Sequence, residues 1–155
     1  MSDAVPDQIY FEDIEVGDSI PELEKSPTSQ QLVQWAAGSG DFYQIHYDTS
    51  YAQDTGLDDI IVHGALKHAF LGELLWRFAG PEGQVKRVQC SYRGMDPAAQ
   101  GRESAQEKKF TLRGTVTRKY TEGERNIVEL NIEGVRADGS VSTPGNGVVI
   151  LPSRG

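Results

Sequence analysis

The sequence predicts an α+β domain in which a curved antiparallel sheet wraps around one central helix. Three observations carry that expectation. Gly64–Ala79 is apolar on nearly every side, so as a helix it must be buried on most of its surface. After Gly80-Pro81 the hydrophobic period changes from helical to two. Ahead of Gly64 the patterns are short and mostly helical, which separates helices from strands along the chain instead of alternating them.

Taken in order, the first residues, 1–9, carry Pro6 and several acids and read as a loose arm before one domain spanning 10–151. Asp18–Leu23 reads as a short strand that Pro21 confines to an edge or an end. Thr28-Ser29-Gln30-Gln31 has capping-box spacing, and Leu32, Val33, Ala36 and Ala37 recur at helical intervals before Gly38. Ser39–Tyr47 breaks that pattern with Gly40, Asp41 and two aromatics and reads as an ordered loop. Asp48 or Thr49 caps a short helix through Tyr51 and Ala52, which Gly56 stops. In the central helix Glu73 and Arg77 sit i,i+4 and mark its one wet edge.

Beyond it, Val88, Cys90 and Tyr92 alternate with polar residues, as do Phe110, Leu112 and Val116, then Val128, Leu130 and Ile132. Val148–Leu151 is a short apolar run. Glu122-Gly123-Glu124 and Asp138-Gly139 lie between these runs as hairpin turns. One sheet on one helix leaves apolar surface uncovered, so a homodimer that extends the sheet or shares an interface is expected.

Composition narrows the class. A length of 155 residues suits one domain with a full core. The formal net charge of −8 argues against nucleic acid as a partner, because phosphate binding needs a basic face. Cys90 is the single cysteine, so neither a disulfide framework nor a thiol pair for zinc is available. No apolar run approaches the ~20 residues of a membrane span, and the acidic start lacks the pattern of a signal peptide, so a soluble cytoplasmic protein is expected.

The chemistry is concentrated in two segments. Ser39-Gly40-Asp41-Phe42-Tyr43-Gln44-Ile45-His46-Tyr47-Asp48 sets a carboxylate and an imidazole on one loop with apolar residues between them. An Asp near apolar walls is more readily protonated, and a His exchanges a proton near neutral pH, so the pair can hold one water and handle its protons. Ile61-Val62-His63-Gly64-Ala65 sets a glycine where the central helix begins. Without a Cβ, Gly64 lets a carbonyl approach a backbone N–H at the positive end of the helix, as an oxyanion hole requires.

Together, Ser39-Gly40-Asp41 with Ile45-His46 and Asp48, Gly56-Leu57, His63-Gly64 and the opening Val16-Gly17-Asp18 resemble the MaoC-like dehydratases, a family that includes R-specific enoyl-CoA hydratases. The resemblance runs from about Phe11 to Leu151 and is most specific in Ser39–Asp48 and Val62–Gly64. It implies a hot-dog fold, a homodimer or pseudo-dimer, and reversible syn addition of water to a trans-2-enoyl thioester of coenzyme A or acyl carrier protein. It implies Asp41 and His46 as the catalytic pair, Gly64 as the oxyanion donor, and no metal or redox cofactor. The chain departs from the family twice: Tyr43-Gln44 stands where many members have Asn-Pro, and Gly72 where many hydratases have a serine. Gly72 inside a helix costs ~1 kcal/mol against alanine, so it leaves room for something, an acyl chain or a close strand.

The remaining candidates read as structural. Asp48 is a helix cap. His63 bonds nearby backbone, and His68 lies within the helix as a satisfied or half-exposed side chain. A metal site of His46, His63 and His68 lacks both i,i+4 spacing and a supporting thiolate. Lys86, Arg87, Arg93, Lys108 and Lys109 either meet phosphates of coenzyme A or simply line a solvated face. Phe70, Trp76 and Phe78 read as core or dimer contacts first and acyl pocket second, and Cys90 as packing. The two alternatives to the hydratase are an acyl-binding subunit with little activity alone and a thioesterase on the same fold.

Overall fold

The computed structural model describes residues 6–100 and 108–155. Its helices are α1 (Ser29–Ser39), α2 (Thr49–Asp54) and α3 (Gly64–Ala79), with short 3-10 turns at Phe11–Asp13 and Gln44–His46. Its strands are β1 (Leu23–Lys25), β2 (Gln84–Cys90), β3 (Phe110–Glu122), β4 (Arg125–Arg136) and β5 (Val141–Leu151). They form one antiparallel sheet in the order β1-β3-β4-β5-β2, curled around α3 in the hot-dog arrangement.

Local chemistry explains most of the boundaries. The Thr28 hydroxyl accepts the Gln31 N–H at 3.2 Å and starts α1. That helix runs past Gly38 and stops at Gly40, whose φ of 79° lets its N–H return to the Ala36 carbonyl. The expected strand over Asp18–Leu23 is interrupted. Ile20 N–H donates to Gly114 O, Val116 N–H donates to Asp18 O, and pairing with β3 resumes only at Leu23. Pro21 has no N–H to offer the ladder between those points. Gly123, at φ 61°, turns β3 into β4 across two residues.

The core lies between α3 and the concave face of the sheet. Leu66, Phe70, Leu71, Leu74, Leu75 and Phe78 of α3 meet Leu112, Val116, Leu130, Ile132, Val149 and Leu151. Gly147 makes that approach close, since a Cβ there would overlap a Leu75 methyl.

Three expectations need correction. The central helix has a second uncovered stripe besides the Glu73–Arg77 pair: Ala65 and Ala69 are exposed and Trp76 is 49% exposed. This stripe of α3 is therefore open in the single chain. The last strand is much longer than the Val148–Leu151 run, because Pro144, Gly145 and Gly147 hide its first half from any hydrophobic pattern. Part of the arm is docked rather than loose: Gln8 Nε2 donates to Ala79 O at 3.0 Å, and Gln8 Oε1 accepts from Glu82 N–H at 2.8 Å. Residues 1–5 lie outside the described residues.

Candidate active site

The loop between α1 and α2 is held by its own hydrogen bonds. Ser39 Oγ donates to Trp35 O at 2.7 Å and accepts from Asp41 N–H at 3.3 Å, while Tyr47 Oη donates to Phe42 O at 2.9 Å. The 3-10 turn at Gln44–His46 carries the imidazole inward, and Ile61 N–H donates to Ile45 O at 3.1 Å, which ties this loop to the segment that starts α3. Asp48 Oδ1 then accepts the Tyr51 N–H at 3.0 Å and caps α2.

Asp41 and His46 converge. His46 Nε2 lies 3.9 Å from Asp41 Oδ2, beyond a direct hydrogen bond but within reach of one shared water. His46 is 7% exposed and its Nδ1 lies 2.7 Å from the carbonyl of Ile61. A carbonyl only accepts, so Nδ1 carries the proton and the lone pair of the neutral ring sits on Nε2, on the Asp41 side. The Asp41 carboxylate is half exposed, and its other oxygen accepts from Tyr43 N–H at 3.4 Å.

His63 sits beneath this pair. It is fully buried, its ring stacks on His46 with centroids 3.7 Å apart, and its Nε2 donates to the backbone carbonyl of Asp41 at 3.2 Å. Burial holds its imidazole below the ordinary 6.5, and the neighbouring His46 acts in the same direction against the opposing pull of Asp41. Its Nδ1 has no partner among the described residues, as suits an unprotonated nitrogen.

Gly64 is the first residue of α3, where N–H groups have no acceptor within the helix. The space that a Cβ would take is filled by the Tyr92 ring, 2.8 Å away, so glycine is needed for packing as well as for access. Gly72 differs: nothing lies within 4 Å of where its Cβ would be, so no strand explains it.

His46, Gly64, Tyr92 and Arg93 line one cleft of about 540 Å³, a size usual for small-molecule sites. A depression of about 610 Å³ on the outer face of the sheet, between Ser19, Arg113, Asn131 and Pro144, lacks this convergence; its Arg113 and Glu133 already pair with each other.

Sequence reasoning missed the floor of the cleft. Lys67, in the first turn of α3, is buried and bonded to Asp96 and Gly94 O, and Asp96 also binds Arg136. The available signal was a lysine at a core-facing position of an otherwise apolar helix. Of the cations considered for phosphate binding, Arg93 alone lines the cleft. Lys86 pairs with Glu122, Lys108 with Asp59 and Lys109 with Glu24.

Asp41, His46 and His63 offer ligand atoms within 4.8 Å of one another. Two of the four ring nitrogens, His46 Nδ1 and His63 Nε2, already face the backbone carbonyls of Ile61 and Asp41. His68 is elsewhere, with Nε2 3.3 Å from Val88 O. Among the described residues no helix is long and apolar enough to cross a membrane.

Residues 15–97 match the family described as MaoC like domain. Among solved structures, the chain is similar to an (R)-hydratase from A. caviae involved in PHA biosynthesis, at 24% identity over 90% of this chain and 98% of that one, with a TM-score of 0.76. It is also similar to the R-hydratase PhaJ1 from Pseudomonas aeruginosa, at 20% identity over 95% and 88%, with a TM-score of 0.80. A third, a MaoC-like dehydratase from Rhodospirillum rubrum, shares 18% identity over 95% and 99%, with a TM-score of 0.74. At such identities these likenesses speak for the fold. No curated protein sequence matches the chain. The family match extends over more than half of the chain and takes in both the Asp41–His46 loop and the Gly64 end of α3: this protein belongs to the MaoC-like domain family.

Proposed function

We propose that this protein is a hydro-lyase that adds water to trans-2-enoyl thioesters, carried on coenzyme A or acyl carrier protein, to give R-3-hydroxyacyl thioesters, and catalyses the reverse dehydration. The observation that carries this reading is the 3.9 Å separation of Asp41 Oδ2 and His46 Nε2 in front of the Gly64 end of α3. Water bound between two acceptors points a hydrogen at each and keeps its lone pairs for the β-carbon. As the C–O bond forms, the Asp41/His46 pair takes one proton from the water and a proton is returned to the α-carbon, while the thioester oxygen carries the intervening negative charge. The Gly64 N–H at the positive end of α3 meets that oxygen. Two proton-handling side chains and one amide suffice, so the reading calls for no metal or redox cofactor.

A homodimer completes the reading. The exposed stripe of Ala65, Ala69 and Trp76 and the free edge of β2 are the surfaces that a second copy would cover.

The test is hydration of crotonyl-CoA, followed by loss of the enoyl thioester absorbance. Asp41→Asn lowers turnover by about 10²–10⁴-fold, with the circular dichroism spectrum and the mass in solution unaltered. Unchanged hydration in that variant rejects the assignment. Release of free thiol in the same assay would instead identify a thioesterase, and absence of any turnover by the purified protein would favour an acyl-binding subunit.

A further inference from the structure

The cleft in front of His46 and Gly64 carries more positive charge than its surroundings account for. Lys67 is only 2% exposed, yet its Nζ is held at 2.8 Å from Gly94 O and 2.6 Å from Asp96 Oδ2. Asp96, 4% exposed, also accepts from Arg136 Nε at 3.0 Å. One buried carboxylate thus serves two cations. A third, Arg93, lies on the same cleft; its backbone N–H is pinned to Ser142 O at 2.9 Å, and its guanidinium makes no hydrogen bond or ion pair among the described residues. Arg136 also lies within the field of Asp138, so Asp96 and Asp138 balance Lys67 and Arg136, and the exposed Arg93 is the cation of the cleft left without a partner, in a chain whose formal net charge is −8.

We propose that the acyl group received by this cleft bears a carboxylate of its own, so that the substrate is the monothioester of an unsaturated dicarboxylic acid. Arg93 meets the free carboxylate with its planar fork of donors, beside the corner where Lys67 and Arg136 share Asp96. This inference rests on the hydratase reading for the reaction, though not for the recognition. The phosphates of the carrier are the other source of negative charge, but an extended pantetheine arm carries them well outside a cleft of about 540 Å³ that also holds the reacting groups.

Saturated thioesters, which cannot be hydrated, read recognition without turnover. In isothermal titration, glutaryl-CoA binds about tenfold more tightly than valeryl-CoA of the same chain length, and Arg93→Gln removes most of that ratio. Arg125→Gln, at the opposite end of β4 from Arg136, leaves the ratio in place. Equal affinities in the unaltered protein, or a ratio that survives Arg93→Gln, overturn the proposal. So does a loss in Arg93→Gln that is the same for both CoA esters and absent for the corresponding pantetheine thioesters, since the cluster would then serve the carrier phosphate. Turnover separates the two readings. Hydration of 2-pentenoyl-CoA with no preference for glutaconyl-CoA overturns this inference and leaves the hydratase standing, whereas a glutaryl preference without hydration of either enoyl ester upholds the carboxylate pocket and overturns the hydratase.

Discussion

The imidazole of His46 lies flat against that of His63, with centroids 3.7 Å apart and planes 21° from parallel. Two protonated rings at that distance would repel, the more so because both are buried, so the stack requires the fully buried member to stay neutral. His63 is that member, and burial lowers its pKa from 6.5. The unfolded chain therefore takes up a proton near that pH while the folded chain does not. The stability associated with neutral His63 is present in full above the unfolded value and is lost progressively as pH falls below it. Urea denaturation at a series of pH values from 8 to 5 should show falling stability, and His63→Gln, which keeps an N–H for the Asp41 carbonyl, should flatten the slope. Parallel slopes for the two proteins would refute the account.

Gly64 and Tyr92 form a second coupled pair. Alanine at position 64 would suit a helix intrinsically, but its Cβ would stand 2.8 Å from the Tyr92 ring. Gly64→Ala should therefore destabilise the protein by about 1–3 kcal/mol, as overpacking does. The loss should shrink markedly in a Tyr92→Ala background. A double-mutant cycle by urea denaturation measures this, and purely additive changes would show that the ring is free to move aside.

Two other glycines give opposite signs. Gly72 lies mid-helix with nothing within 4 Å of a Cβ, so Gly72→Ala should stabilise the protein by about 0.5–1 kcal/mol. Gly147→Ala should destabilise it by about 1–3 kcal/mol, because its methyl meets Leu75. Thermal denaturation of the two variants beside the unaltered protein tests both. If Gly72→Ala alone weakens self-association or enoyl thioester binding while raising Tm, the space beside that glycine is used by the partner or by the acyl chain.

Much of this architecture could be read from the chain because its causes are local. The buried stripe of α3, the Asp48 cap and the Gly123 turn each depend on neighbours within a few residues, and so does the spacing that carries Asp41 and His46 to one place. What escaped depends on distant partners. Gly147 is a glycine because of Leu75, on a helix far earlier in the chain, and it erases the alternation that would have announced the start of β5. Tyr92 fills the space above Gly64 from beyond the end of β2. Lys67 faces the core only because Asp96, 29 residues later, waits there, and Asp96 is shared with Arg136, a further 40 residues on. No hydrophobic period encodes such a pairing.

That shared carboxylate predicts an asymmetry. In Lys67→Met the ammonium is gone, but Asp96 keeps its bond to Arg136 Nε at 3.0 Å, so no buried charge is left alone. In Asp96→Asn the two cations remain with only neutral acceptors, Gly94 O for Lys67, and Met95 O and Ser140 Oγ for Arg136. Removing the shared anion should therefore cost about 3–5 kcal/mol, the range for breaking a buried pair, and removing the lysine clearly less. The double variant Lys67→Met/Asp96→Asn should recover part of the Asp96→Asn loss, since one of the uncompensated cations leaves with its partner. Urea denaturation of the three variants measures the cycle. A Lys67→Met loss equal to or greater than that of Asp96→Asn would mean that the lysine, and not the carboxylate, organises this corner of the fold.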